Sequence, residues 1–138
     1  MTERLSRGLR VIRFVWIAGF VIGTTTHVAD LVVGGVEVYA GYPDAARVFW
    51  VSLTLLDPAA VVLLLRRSRV GVVLGVAIML ADVAVNWTVF ATIEGFGLFG
   101  LINQSLFCAF VLATAVPLWR AYNTPSRCVG RADDRMDG

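Results

Sequence analysis

The sequence predicts an all-α membrane protein, a four-transmembrane up-down-up-down helix bundle with both termini in the cytoplasm. The 138 residues are 58% hydrophobic with a mean hydropathy of +0.77. A soluble domain of this size is usually about half apolar or less. The excess is gathered into four long runs joined by short connections, and the basic residues lie almost entirely on one side of those runs.

The four apolar runs cover residues 13–33, 48–65, 70–91 and 98–118. Each has about the 20 residues that an α-helix needs to cross a hydrocarbon core of roughly 30 Å. The links between the second and third runs and between the third and fourth are very short, so consecutive helices should be antiparallel neighbours. We therefore predict one transmembrane domain over residues 1–120 and a flexible cytoplasmic tail over residues 121–138.

The arginines predict the orientation of the bundle. All 12 basic residues are Arg, and only Arg47 lies in a connection on the side opposite the other eleven. Cytoplasmic segments carry such an excess of basic residues, so we predict a protein of the bacterial cytoplasmic membrane with both termini in the cytoplasm. Because the arginines are divided among three short segments, the expected partner is the lipid bilayer with its anionic headgroups, and no nucleic acid.

Ionisable residues inside these runs are the main clue to function. Asp57 and Asp82 lie near the middle of the second and third runs, and His27 and Asp30 lie near the end of the first. Asp82 is about 18 Å from the cytoplasmic end of its helix at the usual rise per residue. Such groups are costly in hydrocarbon unless they face a partner, water or the bundle interior, and they often mark functional sites.

Helical spacing brings these residues onto shared faces with other polar and aromatic side chains. Asp82 and Asn86 are one turn apart, and Thr54 lies between Trp50 and Asp57 on another stripe. If the stripes point inward, they form an apolar pocket with a few convergent polar groups, which is typical of small-molecule sites. The predicted ligand-binding residues are Trp50, Thr54, Asn86, Trp87, Asn103, Gln104 and Phe107.

Each of these residues also has a purely structural interpretation. Asp57 precedes Pro58 and could cap amides at a helix kink. Asp82 with Asn86 could form an interhelical hydrogen-bond clamp, and the amides near the start of the fourth run could do the same. His27 and Asp30 could simply lie at the wet interface.

The set of acids predicts proton chemistry. No Lys or Arg lies deep enough to pair with Asp57 or Asp82, and burial favours the neutral form of a carboxyl group. A protonated Asp in an apolar pocket is a proton donor, and a second carboxylate or His27 could be the base. This favours a membrane-embedded isomerase or cyclase for an isoprenoid or sterol-like ligand, with Trp50, Trp87 or Phe rings shielding a cation. The predicted catalytic residues are Asp57, Asp82, His27 and Asp30.

The second run and the approach to it resemble one family. Pro43, Phe49-Trp50 with Ser52, and the acidic Asp57 five positions later are similar to the second helix of the emopamil-binding protein and sterol isomerase superfamily. The resemblance implies a four-helix bundle with cytoplasmic termini, in which intramembrane His and acidic residues move a proton across a ring double bond. It implies that Asp57 is the central acid.

Two other functions remain open on the sequence alone. The acids could bind protons or cations in a small transporter or channel, which a four-span chain would build as a homo-oligomer, for example through Gly19/Gly23 or Gly71/Gly75. Alternatively, the polar residues could meet another membrane protein in an accessory subunit.

The cysteines give no evidence for a metal or cofactor. Cys108 lies within the fourth run and Cys128 in the tail, and neither has His or Cys at metal-ligand spacing. We expect no metal and no cofactor.

Overall fold

The computed structural model describes residues 5–93 and 97–122. In this part of the chain the backbone forms four α-helices, and each predicted apolar run lies inside one of them. A short 3-10 helix, Gly35–Glu37, follows the first. The helices are α1 (Arg7–Gly34), α2 (Asp44–Leu65), α3 (Arg69–Thr92) and α4 (Leu98–Ala121). Most of the predicted cytoplasmic tail, from residue 123 onward, lies outside the described residues.

Local sequence signals account for the helix ends. The side chain of Ser6 accepts a hydrogen bond from the backbone N–H of Leu9 and so caps the start of α1. Gly35 ends that helix with a φ of 65°, a conformation that glycine adopts without steric cost. Pro43 precedes the first turn of α2, where its missing N–H costs nothing.

All four helices are long and apolar enough to cross a membrane. Large apolar side chains cover their outward faces, among them Val33 at 88% and Phe99 at 83% exposure. Water would make such a surface an aggregation hazard, whereas lipid solvates it. The helices therefore indicate a membrane protein in contact with the bilayer.

Consecutive helices pack against each other, and α1 also contacts α4, though less extensively. We call one half of the bundle the arginine half. It contains the first turns of α1 and α3 and the last turns of α2 and α4, where most of the described arginines lie. Its core side chains Trp16, Leu64, Val111 and Leu118 have no exposed surface.

Glycines allow the close packing of the arginine half. A Cβ at Gly71 would lie 2.9 Å from the backbone of α2 at Leu63, and one at Gly75 would lie 2.9 Å from the Trp16 ring. The Trp16 indole Nε1 donates a hydrogen bond to Thr114 Oγ1 at 2.9 Å and ties α1 to α4. The Gly71/Gly75 pair therefore brings helices together within the bundle.

Candidate functional site

The opposite half, which we call the polar half, contains a hydrogen-bonded network of buried side chains. Asp82 and Asn86 lie one turn apart on α3, and each is about 5% exposed or less. Asn86 Nδ2 donates to Asp82 Oδ1 at 3.1 Å and also to Gln104 Oε1 on α4. Gln104 Nε2 donates to Asp82 Oδ2, and Trp50 Nε1 on α2 donates to Asn86 Oδ1 at 2.9 Å. The network thus joins three helices.

This network gives Asp82 a polar environment inside the bundle. Both of its carboxylate oxygens accept an amide N–H, an arrangement that suits the ionised form of a carboxyl group. Hydrogen bonds between membrane helices contribute on average about 0.6 kcal/mol each. Asp82 and Asn86 therefore do form an interhelical clamp, whatever other role they have.

Asp57 has a different environment, although it is equally buried. Its side chain is 4% exposed, and among the described residues no group donates a hydrogen bond to its carboxyl oxygens. A Cβ added to Gly23 on α1 would lie 2.7 Å from Asp57 Oδ2, so the glycine makes room for this carboxyl group. Asp57 therefore does not cap backbone amides beside Pro58.

Asp57 and Asp82 line the same cavity, which we call the deep cavity. It has a volume of about 520 Å³ and lies among all four helices. Its walls are mainly apolar and aromatic, with Phe20 on α1 and Phe107 on α4 facing each other at 5.9 Å between ring centroids. The remaining lining residues are Gly19, Ile22, Gly23, Thr26, His27, Ile78, Met79, Phe99, Gly100, Asn103 and Gln104.

The deep cavity opens on the side of the bundle between α1 and α4. Two of its lining residues, Ile22 on α1 and Phe99 on α4, are 64% and 83% exposed, and these two helices contact each other less extensively than consecutive helices do. This side faces lipid if the helices cross a membrane. Molecules in the bilayer would then reach the two acids without passing through water.

A second, smaller cavity lies toward the connection between α1 and α2, and we call it the outer cavity. Its volume is about 210 Å³. The rings of Tyr39 and Tyr42 pack on Trp50, with centroids 5.1 and 5.0 Å away. The lining residues are His27, Asp30, Tyr39, Tyr42, Trp50, Asn86 and Gln104.

The two cavities share His27 and Gln104. The Nδ1 atom of His27 is buried and has no hydrogen-bond partner within residues 5–93 and 97–122. These two side chains therefore lie between the outer cavity and the acids of the deep cavity.

Tyr39 lies in the connection outside the long helices and binds Asp30. Its hydroxyl donates a hydrogen bond to Asp30 Oδ2 at 2.9 Å. Burial, followed by this hydrogen bond and by the charge of Asp30, raises the pKa of Tyr39 well above its usual range. Tyr39 is therefore a hydrogen-bond donor at all physiological pH values.

The structure brings most of the predicted site residues to one of the two cavities. Asp57, Asp82, Asn103 and Phe107 line the deep cavity only. Asp30, Trp50 and Asn86 line the outer cavity, and His27 and Gln104 line both. Their catalytic or binding roles stay predictions.

Thr54 and Trp87 line neither of these two cavities. The Thr54 hydroxyl donates to the carbonyl of Val51 on its own helix. Trp87 is 47% exposed and donates from Nε1 to Ser105 Oγ at 3.1 Å, which ties α3 to α4 on the outside of the bundle.

Some lining residues were not predicted as part of a site. Gly19 and Gly23 precede His27 at intervals of four residues, so all three share one helix face, which could have revealed their position. Tyr39 and Tyr42 belong to a connection, where helical spacing gives no information. No group of three or more His, Cys, Asp or Glu side chains that could hold a metal ion occurs among the described residues.

Comparisons of the whole chain with known proteins found no matching family model, no matching curated protein and no matching solved structure.

Proposed function

We propose that this integral membrane protein binds a lipophilic ligand, such as an isoprenoid or a sterol-like ring, in the deep cavity. There it would catalyse an acid/base isomerisation or cyclisation. One observation carries the proposal: two buried carboxyl groups from different helices, Asp57 and Asp82, line one mainly apolar cavity. A volume of about 520 Å³ suits a ligand of this class, since small-molecule pockets are usually roughly 300–1,000 Å³.

The proposal includes the topology. The bundle would cross the bacterial cytoplasmic membrane in an up-down-up-down arrangement with both termini in the cytoplasm. The arginine distribution and the short link between α2 and α3 support this orientation. The deep cavity would then lie in the outer half of the bilayer and the arginine half would face the cytoplasm.

The two acids have different proposed roles because their surroundings differ. Asp57, with no donor to stabilise a charge, would be neutral and would give its proton to one carbon of an alkene. The π electrons form the new C–H bond and leave a cation on the neighbouring carbon. Asp82, whose oxygens accept two amide N–H groups, would be the carboxylate that removes a proton from an adjacent carbon. The double bond is then shifted without any oxidant or reductant.

Two further features support this mechanism. The Phe20 and Phe107 rings line the cavity and could shield the cation through their π faces. After turnover a proton has moved from Asp57 to Asp82, so it must return before the next cycle, directly or through His27. The resemblance of the second helix to the emopamil-binding protein and sterol isomerase superfamily is part of the same proposal.

The proposal is tested in two stages. Lipophilic molecules that co-purify with the protein are extracted and identified by mass spectrometry, and each is then incubated with the protein in D₂O. Turnover through a protonated alkene incorporates one deuterium at the position where Asp57 acts. We expect Asp57→Asn and Asp82→Asn each to reduce this incorporation by about 10²- to 10⁴-fold, the usual contribution of a positioned acid or base.

Asp44→Asn is the matched control, because Asp44 is 94% exposed and lies at the start of α2 away from both cavities. It should keep the wild-type rate. If both Asp57→Asn and Asp82→Asn kept that rate as well, the two acids would have no part in the chemistry.

One observation favours a second candidate, a proton-coupled transporter. The outer cavity and the deep cavity meet at His27 and Gln104, so polar groups extend from the outer end to Asp82. Against it, the core of the arginine half is mainly apolar, with Trp16, Leu64 and Val111 fully buried. Proton uptake into protein-containing liposomes that depends on Asp82 would support transport over isomerisation.

A further inference from the structure

Arg69 has an unusual environment at the start of α3. Its guanidinium carbon lies 4.1 Å from the centroid of the Trp119 ring on α4, which is a cation–π contact. The Nε and Nη2 atoms are buried, and neither donates a hydrogen bond to any acceptor in the described part of the chain. A guanidinium with buried N–H groups that lack acceptors is unfavourable unless an acceptor is bound there.

The described residues near Arg69 include no anionic side chain that could accept these hydrogen bonds. The acidic residues closest to it in sequence are Asp57 and Asp82, and both belong to the polar half. Its neighbours in the arginine half are instead basic: Arg66 and Arg67 precede it, and Arg120 follows Trp119 on α4. The described residues at this end of the bundle therefore carry a local excess of positive charge.

An apolar groove begins at the same tryptophan and runs along the outside of the bundle between α3 and α4. Its volume is about 340 Å³ and its lining is entirely apolar. Val72, Val73 and Val76 on α3 are three to seven residues beyond Arg69, so they share its helix face. The lining residues are Val72, Val73, Val76, Ala115, Val116 and Trp119.

We infer that this groove with Arg69 is a binding site for an anionic phospholipid. The phosphate accepts hydrogen bonds from the Arg69 guanidinium, and one acyl chain lies in the groove between α3 and α4. Arg66 and Arg120 add attraction for the negative headgroup, as basic residues at a membrane surface generally do. The inference concerns a surface separate from both cavities and does not depend on the proposed reaction.

Charge favours a lipid over a second copy of the chain as the occupant of the groove. A symmetric dimer through this face would bring Arg69 and Arg120 of one copy close to the same residues of the other. Like charges placed together at an interface are repulsive, whereas a phosphate removes the repulsion.

The test is native mass spectrometry of the protein from nanodiscs that contain equal amounts of phosphatidylglycerol and phosphatidylcholine. We expect the wild type to retain one phosphatidylglycerol in preference to phosphatidylcholine. Arg69→Gln should reduce this retention by about tenfold or more, because it removes charge-assisted hydrogen bonds to the phosphate as well as one basic charge at the membrane surface. Arg66→Gln is the matched control, since it removes the same charge at the same end from an exposed position outside the groove. It should reduce retention by about fivefold or less, the effect of one basic residue near the membrane surface.

A second variant tests the groove without touching the charge. Val73 is 60% exposed, so Val73→Phe would fill the groove from outside with little effect on the core, and it too should reduce retention. Equal loss in Arg69→Gln and Arg66→Gln would show a diffuse charge effect and would overturn the inference. Equal retention of phosphatidylglycerol and phosphatidylcholine by the wild type would also overturn the inference. A dimer that forms in the wild type and is abolished by Val73→Phe would overturn it as well.

Discussion

The two halves of the bundle differ in how their cores are packed. In the arginine half, glycines bring the helices together, and large apolar side chains such as Trp16 and Leu64 fill the core completely. In the polar half, Asp57, Asp82 and Asn86 take the core positions and the helices enclose two cavities. Close apolar packing and buried polar groups are therefore separated along the helix axes, with the cavities confined to the half that contains the polar groups.

The largest expected difference in the free energy of unfolding between the two halves comes from truncating one tryptophan in each half. Trp16→Ala should reduce the free energy of unfolding by about 3–5 kcal/mol, because it leaves a cavity in a filled core and removes the bond to Thr114. Trp87→Ala, at a 47% exposed position in the polar half, should cost less than about 1.5 kcal/mol. Unfolding by SDS in mixed micelles measures both. Similar costs would mean that the arginine half is no more tightly packed than the bundle surface.

Adding a methyl group to a glycine in each half gives the next largest difference. The Cβ of Gly75→Ala would lie 2.9 Å from the Trp16 ring and 3.1 Å from Phe20, so overpacking should destabilise the protein by about 1–3 kcal/mol. In Gly23→Ala the new Cβ meets only the Asp57 carboxyl group, which borders open space. We expect a loss below about 1 kcal/mol there, with reduced ligand binding in the deep cavity.

The same micelle titration measures both alanine variants. A greater destabilisation by Gly23→Ala than by Gly75→Ala would show that the polar half is the more closely packed one.

A third pair of variants removes the two buried indole N–H groups, one in each half of the bundle. Trp50→Phe leaves the buried Asn86 Oδ1 without its donor, whereas Trp16→Phe leaves a Thr114 hydroxyl that still donates to the carbonyl of Phe110. We expect Trp50→Phe to cost about 1 kcal/mol more than Trp16→Phe, because a buried acceptor left unsatisfied costs roughly 1–3 kcal/mol. Equal costs would indicate that water or another donor reaches Asn86.

The smallest expected effect concerns Tyr39, in the connection that covers the polar half. Its pKa is higher in the folded protein than the value of about 10 in an unfolded chain. The contribution of protonated Tyr39 to the free energy of unfolding is therefore complete below pH 10, and it is lost as the pH rises toward the folded-state pKa of Tyr39. Asp30→Asn removes both the negative charge and the carboxylate acceptor, so ionised Tyr39 should form at a lower pH. Ultraviolet absorbance of tyrosinate during an alkaline titration measures this, and an unchanged titration would show that Asp30 does not influence Tyr39.

The helices of both halves could be predicted from the sequence, because each is a continuous apolar run of membrane-spanning length. The pairing of Asp82 with Asn86 was also predictable, since residues four apart share a helix face. For Gln104 the sequence left open ligand binding and an interhelical hydrogen bond, and its bond to Asp82 could not be specified, because that contact depends on the rotation of α4 against α3. Hydrophobic periodicity does not determine this rotation when a helix is apolar on every side.

The position of the cavities could not be predicted for a related reason. A cavity is the space that packing leaves, and it depends on the volumes of side chains from several helices at once. The Gly19/Gly23 pair is a candidate contact within a homo-oligomer, and the sequence did not indicate that Gly23 accommodates the Asp57 carboxyl group or that Gly19 faces the Phe107 ring. The connection that contains Tyr39 and Tyr42 packs on Trp50, and nothing in the sequence indicated this contact.

The gap between α1 and α4 has a consequence for measurement. If a ligand enters the deep cavity sideways from the surrounding lipid or detergent, the occupancy of the cavity depends on the mole fraction of the ligand in that lipid or detergent. It does not depend on the molar concentration of the ligand in the buffer. Adding more detergent should therefore empty the deep cavity even when the total amount of ligand is held constant.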